Sequence, residues 1–377
     1  MRVAGIMSGT SLDGIDVAIV DISRKRAGVR VKPVAFHSTH YPKLVREALL
    51  AVSNSMTHTA TIARLNFVLG ELYASAIGET CKRRRVSIDS IVLVGMHGQT
   101  IFHEAEPIEY LGHRISSTMQ IGEAAIVAER TGLWTISNFR ERDMAAGGKG
   151  APLVPKVDYL LFRHKTIGRI ALNIGGIANV SVLPAACEPE DVIAFDTGPG
   201  NMIVDALVSH YTQGRQNYDR GGRLARQGKI HSRMLASMLS DPYFALDPPK
   251  ACGREQFGRE FANGLIATGI AVPDLIATAT ELTARSIAGA ILHQDGIREV
   301  IASGGGVHNR QIMRRLRELL PDLKVTTTAD HGIDPDAKEA IAFAILAYEF
   351  VHRRPGNLPS ATGARHAVLL GKDSPAS

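Results

Sequence analysis

A short turn near the start of the chain carries residues suited to phosphate chemistry. Residues 5–16 read GIMSGTSLDGID and lie between two apolar segments. A strand–turn–strand of this kind exposes backbone N–H groups and small hydroxyls that can hold phosphate oxygens. Asp13 and Asp16 stand beside the turn, and carboxylates next to phosphates commonly hold Mg²⁺ or its waters. The turn therefore predicts nucleotide phosphate chemistry, and an ordinary glycine-rich hairpin is the alternative.

The second half of the chain repeats this layout. An apolar strand at 170–174 meets Gly175-Gly176 and returns at 178–182, and a third strand leads to Asp196. Asp196 stands at the carboxyl end of its strand, where α/β sheets bind ligands, although such an Asp can also cap the next helix. Both halves open with a hairpin and continue in mixed α/β units, which suggests a structural duplication, although the layout alone slightly favours two unrelated α/β domains.

Composition excludes several classes of function. A chain of 377 residues is long enough for two domains. The net charge of +6 is scattered, and 5% aromatic residues form no stacking platform, so nucleic acid is not expected as a partner. The three cysteines show no zinc or disulfide spacing. No signal pattern and no apolar run of about 20 residues is found, which predicts a cytoplasmic protein without a membrane span.

Two common nucleotide-binding loops are absent from the sequence. Lys149 lies in a glycine-rich run but is followed by Gly150, whereas a P-loop requires Ser or Thr there. The run at 303–306 lacks the spacing and the ribose-binding acid of a dinucleotide fingerprint. Neither a P-loop NTPase nor a Rossmann dehydrogenase is supported.

Six motifs in the order of one family extend over most of the chain. They are MSGTSLDGID at 7–16, HGQT at 97–100, NFRERDMAAGGKGAPLVP at 138–155, NIGGIAN at 173–179, FDTGPGN at 195–201 and SGGGVHN at 303–309. Together they resemble the anhydro-N-acetylmuramic acid kinases. Two departures affect local contacts: Lys149 stands where such enzymes usually have glutamine, and Ala251-Cys252 interrupts a Pro-Lys-Ser-x-Gly-Arg-Glu pattern.

The resemblance implies a fold, a reaction and a setting. The fold is α/β, a duplicated actin-like ATPase (ribonuclease H-like) fold with two domains around a central cleft. We expect an N-terminal domain at 1–134 plus about 352–377, and a C-terminal domain at 135–351. The implied reaction uses ATP, Mg²⁺ and water to convert 1,6-anhydro-N-acetylmuramic acid, a small amino sugar, into N-acetylmuramic acid 6-phosphate. It belongs to cytoplasmic peptidoglycan recycling, and the family favours a homodimer.

The resemblance also suggests a role for each motif. Asp196 is the expected catalytic base, which takes a proton from the attacking water as in an inverting glycosidase. The metal contacts are expected to be Asp13 and Glu339, although an acid in the first turn of a helix can simply complement the dipole. The expected nucleotide contacts are Gly9, Thr10, Ser11, Leu12, Asp13, Gly14, Ile15, Asp16, Asn173, Gly175, Gly176, Asn179, Gly304, Gly305 and Gly306. The expected sugar contacts are His97, Gln99, Arg140, Asp143 and Gly150.

Several alternatives stay open at this level. Arg140 could pair with the lactyl carboxylate of a muramic acid, or form a surface ion pair with Glu141 or Asp143. His97 could be structural, and the glycines at 304–306 could be a plain strand-to-helix turn. The competing functions are a kinase for another sugar and an ATP-driven module of the chaperone or filament type. The polar loop at 140–152 favours a sugar substrate.

Overall fold

A computed structural model describes residues 1–9, 12–25 and 28–376. The strands are β1 (Arg2–Ser8), β2 (Gly14–Lys25), β3 (Gly28–His40), β4 (Leu93–Tyr110), β5 (His113–Ile121), β6 (Trp134–Ser137), β7 (Gly168–Ile174), β8 (Ile177–Leu183), β9 (Ile193–Pro199), β10 (Ile297–Ser303), β11 (Lys324–Thr327) and β12 (Lys372–Ser374). The helices are α1 (Lys43–Val52), α2 (Thr59–Arg84), α3 (Ala124–Thr131), α4 (Phe139–Ala145), α5 (Val154–Phe162), α6 (Met202–Tyr211), α7 (Ser232–Leu239), α8 (Arg254–Phe257), α9 (Arg259–Ile266), α10 (Val272–Leu292), α11 (Arg310–Leu319), α12 (Lys338–Val351) and α13 (Pro359–Thr362).

The chain forms two compact units. Unit 1 comprises Met1–Leu161 and Ala337–Ser377, and unit 2 comprises Phe162–Asp336. The sheet of unit 1 has the order β12-β6-β4-β1-β2-β3, with β5 paired to β4. The sheet of unit 2 has the order β11-β10-β7-β8-β9.

The two sheets share one topology. In unit 1, β2 runs antiparallel to β1 and β3, whereas β4 and β6 continue parallel to β1. In unit 2, β8 runs antiparallel to β7 and β9, whereas β10 and β11 continue parallel to β7. The order 3-2-1-4-5 with strand 2 reversed is that of the ribonuclease H-like fold. The duplicated α/β fold predicted from the sequence is therefore confirmed.

Helix α12 packs directly on the sheet of unit 1, and two glycines allow that approach. A Cβ atom added to Gly5 on β1 would lie 1.8 Å from the backbone oxygen of Ala340, and one added to Gly95 on β4 would lie 2.1 Å from that of Phe343. No side chain fits at such distances, so both strands need glycine where the helix crosses them.

This packing also sets the bounds of the units. The sequence predicted domain limits after residues 134 and 351, whereas the compact units divide after Leu161 and Asp336. The apolar pattern of α12 shows that the helix is buried but does not show which sheet it covers. The limits predicted from the sequence therefore differ from the bounds of the compact units.

Helix α10 forms the core of unit 2. It is the one helix of the described chain that is long and apolar enough to cross a membrane, but most of it is buried inside the protein. Its inner side packs against strands β7–β9 and helices α6 and α11. Such burial is typical of a core helix in a globular protein.

Candidate functional site

The turn between β1 and β2 is held from several sides. The amide of Leu12 donates to the carbonyl of Gly9 (3.1 Å), and Leu12 has a left-handed backbone with φ of 58°. Arg46 Nε donates to the carbonyl of Leu12 (3.2 Å), and His40 Nδ1 lies 3.1 Å from the carbonyl oxygen of Asp13. The carboxylate-bearing residue Asp13 is exposed.

The remaining predicted phosphate contacts divide into two groups. Gly14 and Asp16 belong to strand β2, as does Ile15, whose side chain is part of the hydrophobic core. Thr10 and Ser11 lie outside the described residues. The described part of the turn that precedes β2 is therefore Gly9 with Leu12 and Asp13.

Glu339 at the start of α12 and Asp16 on β2 form an acidic pair. Glu339 is partly buried, and its pKa lies above the ordinary value because burial disfavours the charged form. The negative charge of Asp16 raises this pKa further, whereas Lys338 and Arg140 oppose the rise. Asp16 and Glu339 are therefore close enough for the charge of one to influence the other.

In unit 1, the cationic side chain of Arg140 pairs with the neutral imidazole of His97. Arg140 donates from Nε and Nη2 to His97 Nε2 (3.0 and 2.9 Å) and from Nη1 to the carbonyl of Gly150 (2.8 Å). Burial, followed by the charge of Arg140, lowers the pKa of His97 to about 3. The imidazole is therefore neutral and can accept these hydrogen bonds, so His97 orients the guanidinium.

Asp143 is wholly buried and holds the glycine-rich loop in place. Its Oδ2 accepts from the amide of Gly150 (2.9 Å), and its Oδ1 accepts from Asn357 Nδ2 and Thr362 Oγ1 (both 2.7 Å). The sequence predicted that Asp143 touches the sugar. That contact stays a prediction; in the structure both carboxylate oxygens accept from protein donors, two of which come from a distant part of the chain.

Gln99, another predicted sugar contact, is also wholly buried. Its Nε2 donates to the carbonyl of Gly9 at 3.1 Å, and its Oε1 accepts from the hydroxyl of Tyr41 at 3.3 Å. The side chain thus connects strand β4 to the turn after β1.

In unit 2, the predicted residues form a row across the sheet. Ser303 on β10 pairs with Asn173 on β7, Asn173 pairs with Asn179 on β8, and Asn179 pairs with Asp196 on β9. The structure therefore brings together three predicted site residues from two motifs. Directly paired residues on neighbouring strands have adjacent side chains.

The turn of Gly175 and Gly176 lies beside this row. Its two carbonyls accept hydrogen bonds from the amides of Asn201 and Gly200, both at 2.8 Å, at the start of α6. A Cβ atom on Gly200 would lie 2.3 Å from the carbonyl oxygen of Gly175, so the loop before α6 packs tightly against the turn. The turn is thereby fixed against the positive end of a helix dipole.

Asp196 lies in the middle of β9, which continues to Pro199, so the predicted strand end at Asp196 is wrong. Burial raises its pKa to about 6, although the amide of Cys252, which donates to Oδ2 at 3.0 Å, opposes the rise. A base that loses its proton near neutral pH suits proton abstraction. The sequence did not assign a role to Tyr243, whose hydroxyl donates to the carbonyl of Asp196 (2.7 Å), because these residues are far apart in the chain.

In the run Gly304–Gly306, two glycines pack against their neighbours and the third lines a cavity. A Cβ atom on Gly304 would lie 2.6 Å from Asn173 Oδ1, and one on Gly306 would lie 2.2 Å from the side chain of Ile174. Gly305 has open space instead and lines a cavity of about 680 Å³. The cavity is also lined by Asn201, Val204, Asp205, Tyr218, Asp219, Arg220, Gly221, Val307, His308, Asn309 and Arg310.

This geometry predicts that two neighbouring substitutions differ in their effect on the free energy of unfolding. Gly306→Ala should lower the free energy of unfolding by about 1–3 kcal/mol, because the methyl group overlaps Ile174. Gly305→Ala should leave stability within about 0.5 kcal/mol. If the cavity takes a nucleotide, Gly305→Ala should weaken nucleotide binding. Chemical denaturation and calorimetry with an ATP analogue measure both effects, and equal destabilisation by the two variants would contradict the assignment.

Comparisons with known proteins agree with the sequence motifs. Residues 1–376 match the family model for anhydro-N-acetylmuramic acid kinase. A relative of that name from Caldanaerobacter subterraneus subsp. tengcongensis is 43% identical over 381 residues, which cover 99% of this chain and 96% of the relative. Another, from Bacillus cereus (strain ATCC 10987 / NRS 248), is 44% identical and covers 98% of each chain. Among solved structures, the activator of the 2-hydroxyisocaproyl-CoA dehydratase from Clostridium difficile with bound ADPNP matches with a TM-score of 0.45 and 13% identity, covering 93% of this chain and 95% of that one.

Proposed function

Since the chain belongs to the anhydro-N-acetylmuramic acid kinase family, we propose that it uses ATP and water to open 1,6-anhydro-N-acetylmuramic acid and yields N-acetylmuramic acid 6-phosphate. Family membership makes the chain a kinase, a phosphotransferase with an alcohol group as acceptor. The observation that most supports the hydrolytic step is Asp196, a carboxylate in the middle of β9 whose pKa burial raises to about 6.

The proposed reaction forms two bonds and breaks two. The oxygen of water bonds to the anomeric carbon while the bond between that carbon and O6 breaks. O6 then bonds to the γ-phosphorus as the bond to the β–γ bridging oxygen breaks, and ADP leaves. Asp196 takes one proton from the water and later releases it to solvent, so that the base is restored.

We assign the nucleotide to groups in each unit. In unit 2, the cavity beside Gly305 is large enough for a base and ribose, and Asn173 and Asn179 lie next to Asp196. In unit 1, we propose that the Gly9–Asp16 segment contacts the phosphates, chiefly through its backbone. Phosphoryl transfer needs mainly positioning and charge neutralisation, which backbone amides and fixed charges can supply.

Mg²⁺ fits the acidic residues of unit 1 as a partly hydrated ion. The described residues contain no group of three or more His, Cys, Asp or Glu side chains that could hold a metal alone. Mg²⁺ usually binds through one or two carboxylates together with phosphates and waters, and Glu339 lies beside Asp16. We propose Asp13 and Glu339 as contacts of this ion, which would neutralise charge on the phosphates.

We propose that Arg140 binds the lactyl carboxylate of the sugar. Its guanidinium donates hydrogen bonds to His97 and to the carbonyl of Gly150, which fix its orientation. An oriented guanidinium can donate two parallel hydrogen bonds to a carboxylate. In this arrangement Asp143 acts on the sugar site through Gly150, whose amide it holds.

This chemistry belongs to recovery of cell-wall sugars, which we place in the cytoplasm with the enzyme as a homodimer. The test is ADP release from the purified protein with 1,6-anhydro-N-acetylmuramic acid, with N-acetylmuramic acid, with glucose and without sugar. We expect turnover with the anhydro sugar and at most one hundredth of that rate with the others. Turnover with a simple hexose alone would overturn the proposal, and equal turnover without sugar would favour an ATP-driven conformational module.

A further inference from the structure

Gln99 has the wrong environment for a sugar ligand. The side chain is fully buried, its Nε2 donates to the carbonyls of Gly9 (3.1 Å) and Thr100 (3.4 Å), and its Oε1 accepts from Tyr41 (3.3 Å). Both ends of the amide are therefore bonded to protein groups. Because the side chain is fully buried, a sugar hydroxyl could reach the amide only if the residues that cover it moved.

The carbonyl of Gly9 is the point at which Gln99 acts on the turn after β1. This oxygen accepts two hydrogen bonds, one from the amide of Leu12 within the turn and one from Gln99 Nε2 outside it. A carbonyl has two lone pairs, so this pair of donors satisfies it completely. The backbone bond closes the turn, and the side-chain bond fixes the turn to strand β4.

A buried polar cluster keeps Gln99 in this position. Ser8, the last residue of β1, is the strand partner of Gln99. The hydroxyl of Ser8 donates to the carbonyl of Gly98 (3.0 Å) and hydrogen-bonds the hydroxyl of Tyr73 (2.7 Å). Buried, satisfied networks of this kind restrict local motion. Gln99 therefore fixes the position of Gly9, at the start of the turn, before a ligand arrives.

We propose that Gln99 is a positioning residue for the nucleotide phosphates, which acts through the carbonyl of Gly9 and does not touch the sugar. The inference rests on the proposed function, because it takes ATP as the ligand of the turn. It predicts that loss of the amide weakens ATP binding and leaves sugar binding intact.

The test compares Gln99→Met with the matched control Gln120→Met. Methionine keeps the length of the side chain but lacks the amide, and Gln120 on β5 contacts the side chains of Thr100 and Thr118 instead of the turn. Calorimetry with a non-hydrolysable ATP analogue should give a Kd about tenfold higher for Gln99→Met, as expected for one buried hydrogen bond. The Kd for 1,6-anhydro-N-acetylmuramic acid should stay within about twofold of the wild type, and the control should match the wild type for both ligands.

A second variant decides the question if Gln99→Met does not fold. Tyr41→Phe removes the hydroxyl that orients Gln99 Oε1 and should raise the Kd for the ATP analogue about threefold, with sugar binding unchanged. Weaker sugar binding with unchanged ATP binding, in either variant, would show a sugar ligand and overturn the inference. Unchanged binding of both ligands would overturn it as well. A wild-type protein that binds no ATP analogue would instead refute the proposed function on which the inference rests.

Discussion

Asp196→Asn should lower kcat by about a thousandfold or more while leaving the affinity for an ATP analogue unchanged. The amide has nearly the shape of the carboxylate but cannot take a proton from water. Steady-state kinetics and calorimetry measure the two effects. Asp295→Asn, which alters an exposed residue of the same unit, is the matched control and should behave as the wild type. A kcat for Asp196→Asn within tenfold of the wild type would remove Asp196 from the base role.

The same substitution has a defined effect on stability. Burial raises the pKa of Asp196 from 3.8 to about 6, so the charged form is disfavoured in the folded state. The folded protein therefore loses stability as pH rises from about 4 to about 6, by up to about 3 kcal/mol. The neutral Asn does not carry this cost. We expect Asp196→Asn to be at least as resistant to urea as the wild type at pH 7.5, which excludes unfolding as the cause of lost turnover.

The pH dependence of wild-type turnover follows from the same carboxylate. Activity should fall as pH decreases through about 6, because the protonated acid cannot accept the proton of water. Protonation of His97 cannot cause this loss of activity near pH 6, since burial and the charge of Arg140 hold its pKa at about 3.

Arg140→Ala should lower kcat/KM for 1,6-anhydro-N-acetylmuramic acid by about a hundredfold, because a charge-assisted contact with the lactyl carboxylate is lost. The comparison substrate is 1,6-anhydro-N-acetylglucosamine, which lacks the lactyl group. Its kcat/KM should fall much less in the Arg140→Ala variant. Arg140→Lys should restore only part of the activity, because a single ammonium cannot reproduce the planar fork. The ratio of kcat/KM values for the two sugars is the quantity to measure.

The comparison of two sugars separates recognition from disruption of the loop. Arg140 also binds His97 and the carbonyl of Gly150, so its loss could disturb the site in general. General damage would lower kcat/KM equally for both sugars and would contradict the assigned contact. Arg142→Ala, on an exposed position of the same helix, is the control and should leave the ratio unchanged.

Local sequence patterns predicted the hairpins of both halves and a strand before Asp196, because those patterns lie within short segments. They did not predict that this strand continues to Pro199 or that β4 and β5 pair as a long hairpin over residues 99–121. They also did not reveal that Gln99 and Asp143 are buried. The partners of these side chains, Gly9 and the pair Asn357 and Thr362, are far away in the chain, so a local motif could not show them.

The sequence shows where the glycines are but not which of them are required by close packing. Gly304 and Gly306 pack against β7, whereas Gly305 faces the cavity, although all three stand in one run. Likewise, Gly5 and Gly95 mark the strands that α12 crosses. Only the three-dimensional neighbours distinguish a glycine required by packing from one that leaves room for a ligand.

The central claim is that water opens the anhydro bridge and that the released O6 receives the phosphoryl group. NMR of the product formed from 1,6-anhydro-N-acetylmuramic acid and ATP tests this most directly. The account predicts a phosphorus resonance coupled to the protons on C6, together with the signal of a hydroxylated anomeric carbon. A phosphate on another oxygen, an intact anhydro bridge, or inorganic phosphate with unchanged sugar would contradict it.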